Sequence, residues 1–193
     1  TLCFPIGVGI GVVYHTNPVD AATIGKLVKK YDATIIMGTP TFMSAYVRKC
    51  TKEQFATVRR SIVGAEKLKE KLAHAFQEKF DVTPYEGYGA TELSPIVSVG
   101  FPGYVNEEAM EKQVGSKPGK VGHPVPGVAV KVVDPDTFEM KGHEEEGLLL
   151  VKGANVMKGY LNNPAKTAEV IKEGWYVTGD IAHIDEDGFV KIV

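Results

Sequence analysis

Cysteine is scarce: Cys3 and Cys50 are the only two in 193 residues, and they lie far apart. That excludes a disulfide framework and a Cys-x-x-Cys metal site, and it fits a reducing compartment. The five histidines include no pair at i, i+4, so the usual helical zinc signature is missing. An excess of either charge is also missing: Lys and Arg number 22 against 24 Asp and Glu. A net charge of −2 gives no electrostatic case for nucleic acid or an anionic membrane surface. No apolar run approaches the ~20 residues that span a bilayer. Leu2 to Tyr14 is apolar and glycine-rich, but it is short and has no basic flank, which argues against a signal peptide. Gly7, Gly9 and Gly11 lack the further glycine at position 12 that a dinucleotide fingerprint needs; Val12 stands there. Close packing explains these glycines, with Val12-Val13-Tyr14 as a short strand.

What is present is an ordinary globular composition, 44% hydrophobic. Asp20 caps a helix running to about Tyr31, whose Ile24, Leu27, Val28 and Tyr31 share one face. Ala33 to Met37 reads as a buried strand. Thr39-Pro40 opens a second helix with Phe42, Ala45 and Tyr46 inward. Ser61-Ile62-Val63 is another buried strand. A helix follows with Leu68, Leu72, Phe76 and Phe80 spaced by four, and with Lys67, Lys69, Glu70, Lys71, Glu78 and Lys79 as a solvated face. Helix and strand thus alternate through the first hundred residues. The fold class expected is α/β, a mostly parallel sheet with flanking helices. In such sheets ligands bind beyond the carboxyl ends of the strands.

After Gly100 glycine and proline increase, around the charged piece Glu107 to Lys112. A boundary is expected there, giving an α/β subdomain over residues 1–110 and a small β subdomain over 111–193. Short strands are expected at Val128–Val133, Gly147–Val151, Gly174–Val177, Ile181–Ile184 and Gly188–Val193, as a small antiparallel, barrel-like sheet. Asn163 caps a short helix over 164–172. Asp187-Gly188 reads as a hairpin turn rather than a calcium loop.

The chemistry concentrates in Tyr85-Glu86-Gly87-Tyr88-Gly89-Ala90-Thr91-Glu92. This stretch is expected on a turn at a strand end. Glycine lets backbone approach a ligand. Tyrosine offers a ring for a base, threonine a hydroxyl for a phosphate oxygen, and glutamate a hard oxygen for Mg²⁺. Gly64-Ala65-Glu66 falls at the same sheet edge. Tyr176-Val177-Thr178-Gly179-Asp180 places a carboxylate after a tight turn, where it can accept hydrogen bonds from both hydroxyls of a ribose. A glycine turn without any ligand accounts for each piece alone.

Taken in order, the pieces resemble the adenylate-forming, or AMP-binding, superfamily of acyl-CoA synthetases, peptide-synthetase adenylation domains and luciferases. Gly64-Ala65-Glu66 looks like its adenine-wall loop and Tyr88-Gly89-Ala90-Thr91-Glu92 like its Tyr-Gly-x-Thr-Glu core. Gly147 to Gly153 followed by Met157-Lys158-Gly159-Tyr160-Leu161 resembles its glycine-anchored strand, and Tyr176 to Asp180 its Tyr-x-Thr-Gly-Asp. The wording around Gly64 and Gly87 is similar to the acyl-acyl carrier protein synthetase half of 2-acylglycerophosphoethanolamine acyltransferases.

The resemblance implies ATP and Mg²⁺ as cofactors. It implies nucleotide contacts from Gly64, Ala65, Glu66, Glu86, Gly87, Tyr88, Gly89 and Ala90, with Tyr88 stacked on adenine. Thr91 would bind the α-phosphate, Glu92 the metal and Asp180 the ribose. The partners implied are a carboxylic, most naturally fatty, acid and the thiol of acyl carrier protein or CoA, with no nucleic acid and no membrane span. Leu2 to Tyr14 and Pro95 to Val99 are the candidate walls of a fatty-chain tunnel. The location expected is cytoplasmic, with membrane association of the parent protein left open. The family's phosphate loop, its Arg after Val193 and its C-terminal domain with the catalytic Lys do not occur in these 193 residues. The chain is therefore expected to be the central part of a longer ligase, inactive alone. The alternative is a non-catalytic nucleotide- or acyl-binding module that kept the fold.

Overall fold

The computed structural model describes residues 3–107 and 111–193. Two compact units are present: residues 1–62 with 71–84, and residues 63–70 with 85–193. The junction expected between 110 and 111 lies inside the second unit. Leu2, and the centre of the charged piece at 107–112, fall outside the described residues.

The first unit contains helices α1 (Cys3–Val8), α2 (Ala21–Lys30), α3 (Pro40–Lys49) and α4 (Glu70–Phe80), with strands β1 (Ile35–Gly38) and β2 (Arg60–Val63). The expected caps form. Asp20 accepts the Thr23 N–H at 3.1 Å, and Thr39 accepts that of Phe42 at 3.5 Å. β1 lies beside β2, and Thr34 O accepts the Arg59 N–H at 2.8 Å. The core is aromatic. Phe55 stacks on Phe80 at 4.3 Å between centroids, with Phe76 and Tyr46 around it. Cys50 is buried beside it, and its thiol donates to Ala21 O.

Several expectations need correction here. Residues 12–14 are not a strand and are exposed, as are Ile6, Val8 and Ile10. β1 is not buried: Ile35 and Met37 are each about half exposed, because β1 presents that face outward. On α3 the inward residue is Met43 with Tyr46 rather than Phe42 with Ala45, since the helix starts at Pro40 and turns Met43 beneath. Lys79 does not belong to a freely solvated face, because its ammonium donates to Val47 O at 2.6 Å.

The second unit contains β3 (Pro84–Tyr88), β4 (Ser98–Val99), β5 (Tyr104–Asn106), β6 (Glu111–Gln113), β7 (His123–Pro124), β8 (Val128–Val133), β9 (Gly147–Gly153), α5 (Pro164–Val170), β10 (Ile171–Lys172), β11 (Trp175–Ile184) and β12 (Val190–Ile192). The pairs β3–β4 and β4–β7 are antiparallel and make this sheet mixed. β8, β9 and β11 form a continuous antiparallel sheet, and β10 and β12 both join β11. The α/β class with flanking helices and a curled antiparallel sheet is thus the architecture found.

Side chains alternate across a strand, and β9 is buried on both faces. Leu149 and Val151 enter the main cluster with Leu93, Val97, Val132, Tyr176 and Val190. Leu148 and Leu150 pack with Val133 under Trp175. Asn163 caps α5 by accepting the Lys166 N–H at 3.0 Å. The Asp187-Gly188 turn joins β11 to β12, with Gly188 at φ +84°.

Two sequence expectations change at the candidate site residues. Tyr85 to Tyr88 is strand rather than turn; the chain leaves the strand at Gly89, and a 3₁₀ turn follows at Thr91. Trp175 to Ile184 is one strand rather than two. Its register against β9 shifts between Val177 and Ile181, so Thr178, Gly179 and Asp180 bulge out opposite Leu149.

Candidate nucleotide-binding site

β3 carries Tyr88 to the rim of a hollow of about 320 Å³ in the second unit. The β11 bulge delivers Asp180 to the same hollow, aided by Gly179 at φ +84°. Thr178 fixes the bulge: its hydroxyl donates to Leu149 O at 2.9 Å and accepts the Asp180 N–H at 3.0 Å. The Tyr88 hydroxyl donates to Asp180 Oδ2 at 2.5 Å. Burial, and then this bond to a carboxylate, push the Tyr88 phenol well above its ordinary range, so it stays a neutral donor.

Ala65 and Glu66 line the hollow with Lys67. Ala65 holds a left-handed backbone at φ +69°, which bends this loop. Gly64 lies just behind; a Cβ there would come within 3.3 Å of Gly87 O. Glu86 reaches back and accepts the Leu68 N–H at 3.2 Å, and burial raises its carboxyl pKa. Gly87 and Gly89 complete this side. At Gly89 a Cβ would sit 1.8 Å from Pro95 O, so only glycine allows the returning backbone to pass.

Thr91 and Glu92 occupy a short 3₁₀ turn, Thr91–Leu93, just beyond Gly89. They and Ala90 are not among the residues lining the hollow. Glu92 is held from the segment after β9. Its Oε1 accepts the Tyr160 hydroxyl at 2.9 Å, and its backbone O accepts the Met157 N–H at 2.8 Å. The carboxylate raises the pKa of Tyr160. Nearby Tyr176 is pushed up to about 12 by burial and by the charge of Glu92. Asn155 ties the same segment down by donating to Leu93 O and Ile96 O, each at 3.0 Å.

Among the described residues no group of three or more His, Cys, Asp or Glu could hold a metal. Glu92 would thus supply one carboxylate. That suits Mg²⁺, which takes one or two carboxylates and fills its remaining positions with phosphate oxygens and water. No described helix is long and apolar enough to cross a membrane. Of the proposed tunnel walls, Val97 is fully buried in the core cluster and Ile96 is partly exposed, while Ile6 to Tyr14 in the first unit is largely exposed.

Sequence reasoning missed Lys67, Gly119, Val121, Ile192 and Val193, which also line the hollow. Gly119 and Gly122 around Val121 were visible as turn signals, and both adopt positive φ. It also assigned no role to Tyr160, although the Lys158-Gly159-Tyr160 run was noticed.

The profile of the AMP-binding enzyme family matches residues 1–161. A long-chain-fatty-acid–CoA ligase of Salmonella typhimurium is 37% identical over 180 residues, 92% of this chain and 30% of its own length. A probable 4-coumarate–CoA ligase of Dictyostelium discoideum is 35% identical over 172 residues, 86% of this chain and 29% of its own. Among solved structures, the anthranilate CoA ligase AuaEII in complex with anthranoyl-AMP superposes with a TM-score of 0.86 at 25% identity, covering 99% of this chain and 35% of its own. ATP-bound MatB from Rhodopseudomonas palustris gives 0.76 at 33% identity, covering 90% of this chain and 32% of its own. The chain therefore spans about a third of the length of the proteins it matches.

Proposed function

We propose, from the premise that this chain belongs to the AMP-binding enzyme family, that its hollow holds the AMP portion of an acyl adenylate within an acid–thiol ligase. The observation that carries this reading is the meeting of Tyr88 and Asp180. They lie 92 positions apart and are joined at 2.5 Å on one hollow. The Tyr88 ring stacks on adenine, with the Gly64 to Glu66 backbone on the other side. A carboxylate has about four lone-pair sites. Asp180 can therefore keep Tyr88 on Oδ2 and still accept ribose hydroxyls. Gly87 and Gly89 let the backbone come close. Thr91 donates to the α-phosphate, and Tyr160 holds the Glu92 carboxylate in place toward the metal. Mg²⁺, when bound with ATP, supplies positive charge to the phosphate oxygens.

The reaction proposed for the whole ligase is the one that membership of the family implies. A carboxylate oxygen of the acid attacks the α-phosphorus, and pyrophosphate leaves. A thiolate then attacks the acyl carbon, and AMP leaves. The names of the relatives favour a long-chain fatty acid and CoA. Acyl carrier protein as acceptor, with a linked acyltransferase acting on phospholipid, is the narrower reading drawn from the wording of two motifs. Supplying each thiol to the whole protein separates the two.

Replacing Asp180 with Ala is expected to weaken AMP binding about tenfold, the scale of a hydrogen bond to a charged group. Equal calorimetric affinities for both forms would remove the ribose role. These 193 residues alone are expected to give negligible acid-dependent pyrophosphate exchange. Turnover at the level of a whole ligase would refute that. Failure of an ATP analogue with Mg²⁺ to bind near Tyr88 in a soaked crystal would favour a structural domain without a ligand.

A further inference from the structure

We infer that Asp185, together with Lys117 and Lys120, is a positioning unit that fixes the apolar wall of the hollow, an inference that rests on the nucleotide reading above. The wall consists of Gly119, Val121, Ile192 and Val193. None of these offers a polar side chain, so the wall acts on a ligand through shape alone. Shape requires position, and a misplacement of about 1 Å is enough to lose most of a fitted contact.

Two devices set that position. The first is backbone pairing: the Val121 N–H donates to Val190 O at 2.8 Å, and the Val190 N–H to Gly122 O at 3.0 Å. The 121–122 segment thus extends the sheet beyond β12. The second is ionic. Lys117 and Lys120 flank a tight turn, closed by Lys120 N–H to Lys117 O at 3.2 Å, with Gly119 at φ +70°. Both ammonium groups converge on one oxygen, Asp185 Oδ2, each at 2.6 Å. The second oxygen accepts the Phe189 N–H at 2.8 Å. Lys117 also pairs with Asp187 at 2.5 Å, and Lys120 with Glu144 at 3.6 Å.

Asp185 is 2% exposed. Burial alone would raise its pKa, but hydrogen bonds from the two lysines and from Phe189 outweigh burial and hold the carboxyl well below the ordinary range. A buried charge that gathers two cations from the turn beside the hollow and one amide from the turn before β12 links both halves of the wall. The same carboxylate thus ties the Lys117–Lys120 turn to the hairpin before β12, and Lys117 adds Asp187 in the hairpin turn itself. Asp185 itself is not among the lining residues.

The test compares Asp185→Asn, Lys120→Met and Lys120→Arg with the unaltered chain, at a temperature where melting curves show each folded. Asparagine keeps the shape and removes the charge. AMP is titrated while amide resonances are followed. Asp185→Asn and Lys120→Met are expected to weaken AMP about tenfold, and Lys120→Arg, which keeps the charge, to stay within about twofold. The AMP-induced shifts at Gly119, Val121 and Ile192 should fade in the two weakened variants, while those at Tyr88 persist, a split that uniform destabilisation would not produce. If Asp185→Asn does not fold, Lys120→Met decides alone. Unaltered affinity and unaltered shifts in a folded variant overturn the inference and leave the nucleotide reading standing. Failure of the unaltered chain to bind AMP overturns both.

Discussion

Replacing Gly89 with Ala is expected to abolish measurable AMP binding while leaving the first unit folded. The added Cβ would lie 1.8 Å from Pro95 O and 2.9 Å from Ile96 Cα. Both neighbours are backbone, so no rotamer relieves the clash. β3 must pull away from the returning 94–97 segment, or that segment must give way. Overpacking of this kind costs typically about 1–3 kcal/mol, and more where the surroundings are rigid. The surroundings here are rigid: Val97 N–H donates to Tyr88 O at 2.9 Å, and Asn155 pins Ile96 O. Strain therefore passes directly to Tyr88, the residue that meets Asp180. Calorimetry with AMP measures the loss, and circular dichroism checks that secondary structure remains. An affinity within twofold of the unaltered chain would show that this close approach does not shape the hollow.

The largest loss of stability is expected from Phe55→Ala. Phe55 is fully buried at the centre of the aromatic core, stacked on Phe80 and set edge-on to Phe76. Truncating a buried phenylalanine costs about 3–5 kcal/mol, from lost transfer energy and from the cavity left behind. A domain is stable by only about 5–15 kcal/mol. The first unit should therefore unfold at much lower urea, read from tyrosine fluorescence or amide exchange in α2 to α4. A midpoint shift corresponding to less than about 1 kcal/mol would mean that the cavity collapses around the missing ring.

Phe55 also shows where sequence reading stops. It sits on a four-residue 3₁₀ turn, Lys52–Phe55, where no periodicity exists to detect. Helices α2, α3 and α5 were legible because Asp20, Thr39 and Asn163 announce their starts, whereas α1 carries no such cap and was not foreseen. β8 and β9 were legible from continuous apolar runs. Ile35 and Met37 misled because an apolar run says that a side chain can be buried, not that it is. Tyr88 and Asp180 were legible as types in motifs, yet the bond between them was not, since it depends on a bulge that no spacing encodes. Gly119 and Val121 escaped because a wall that works by shape carries no chemical label.

The bulge has one further consequence. On the edge of β11 opposite β9, β10 pairs with Trp175 and Tyr176, and β12 with Ala182 to Ile184. The intervening Thr178-Gly179-Asp180 step is matched to neither, and it stands out of register with β9 as well. Thr178, tied to Leu149 O, and Gly179, at φ +84°, hold the shape of the step, so position 180 is the one whose side chain can change without touching the ladder on either side. A substitution at 180 would then alter the side chain presented to the hollow while the sheet that carries it stays paired.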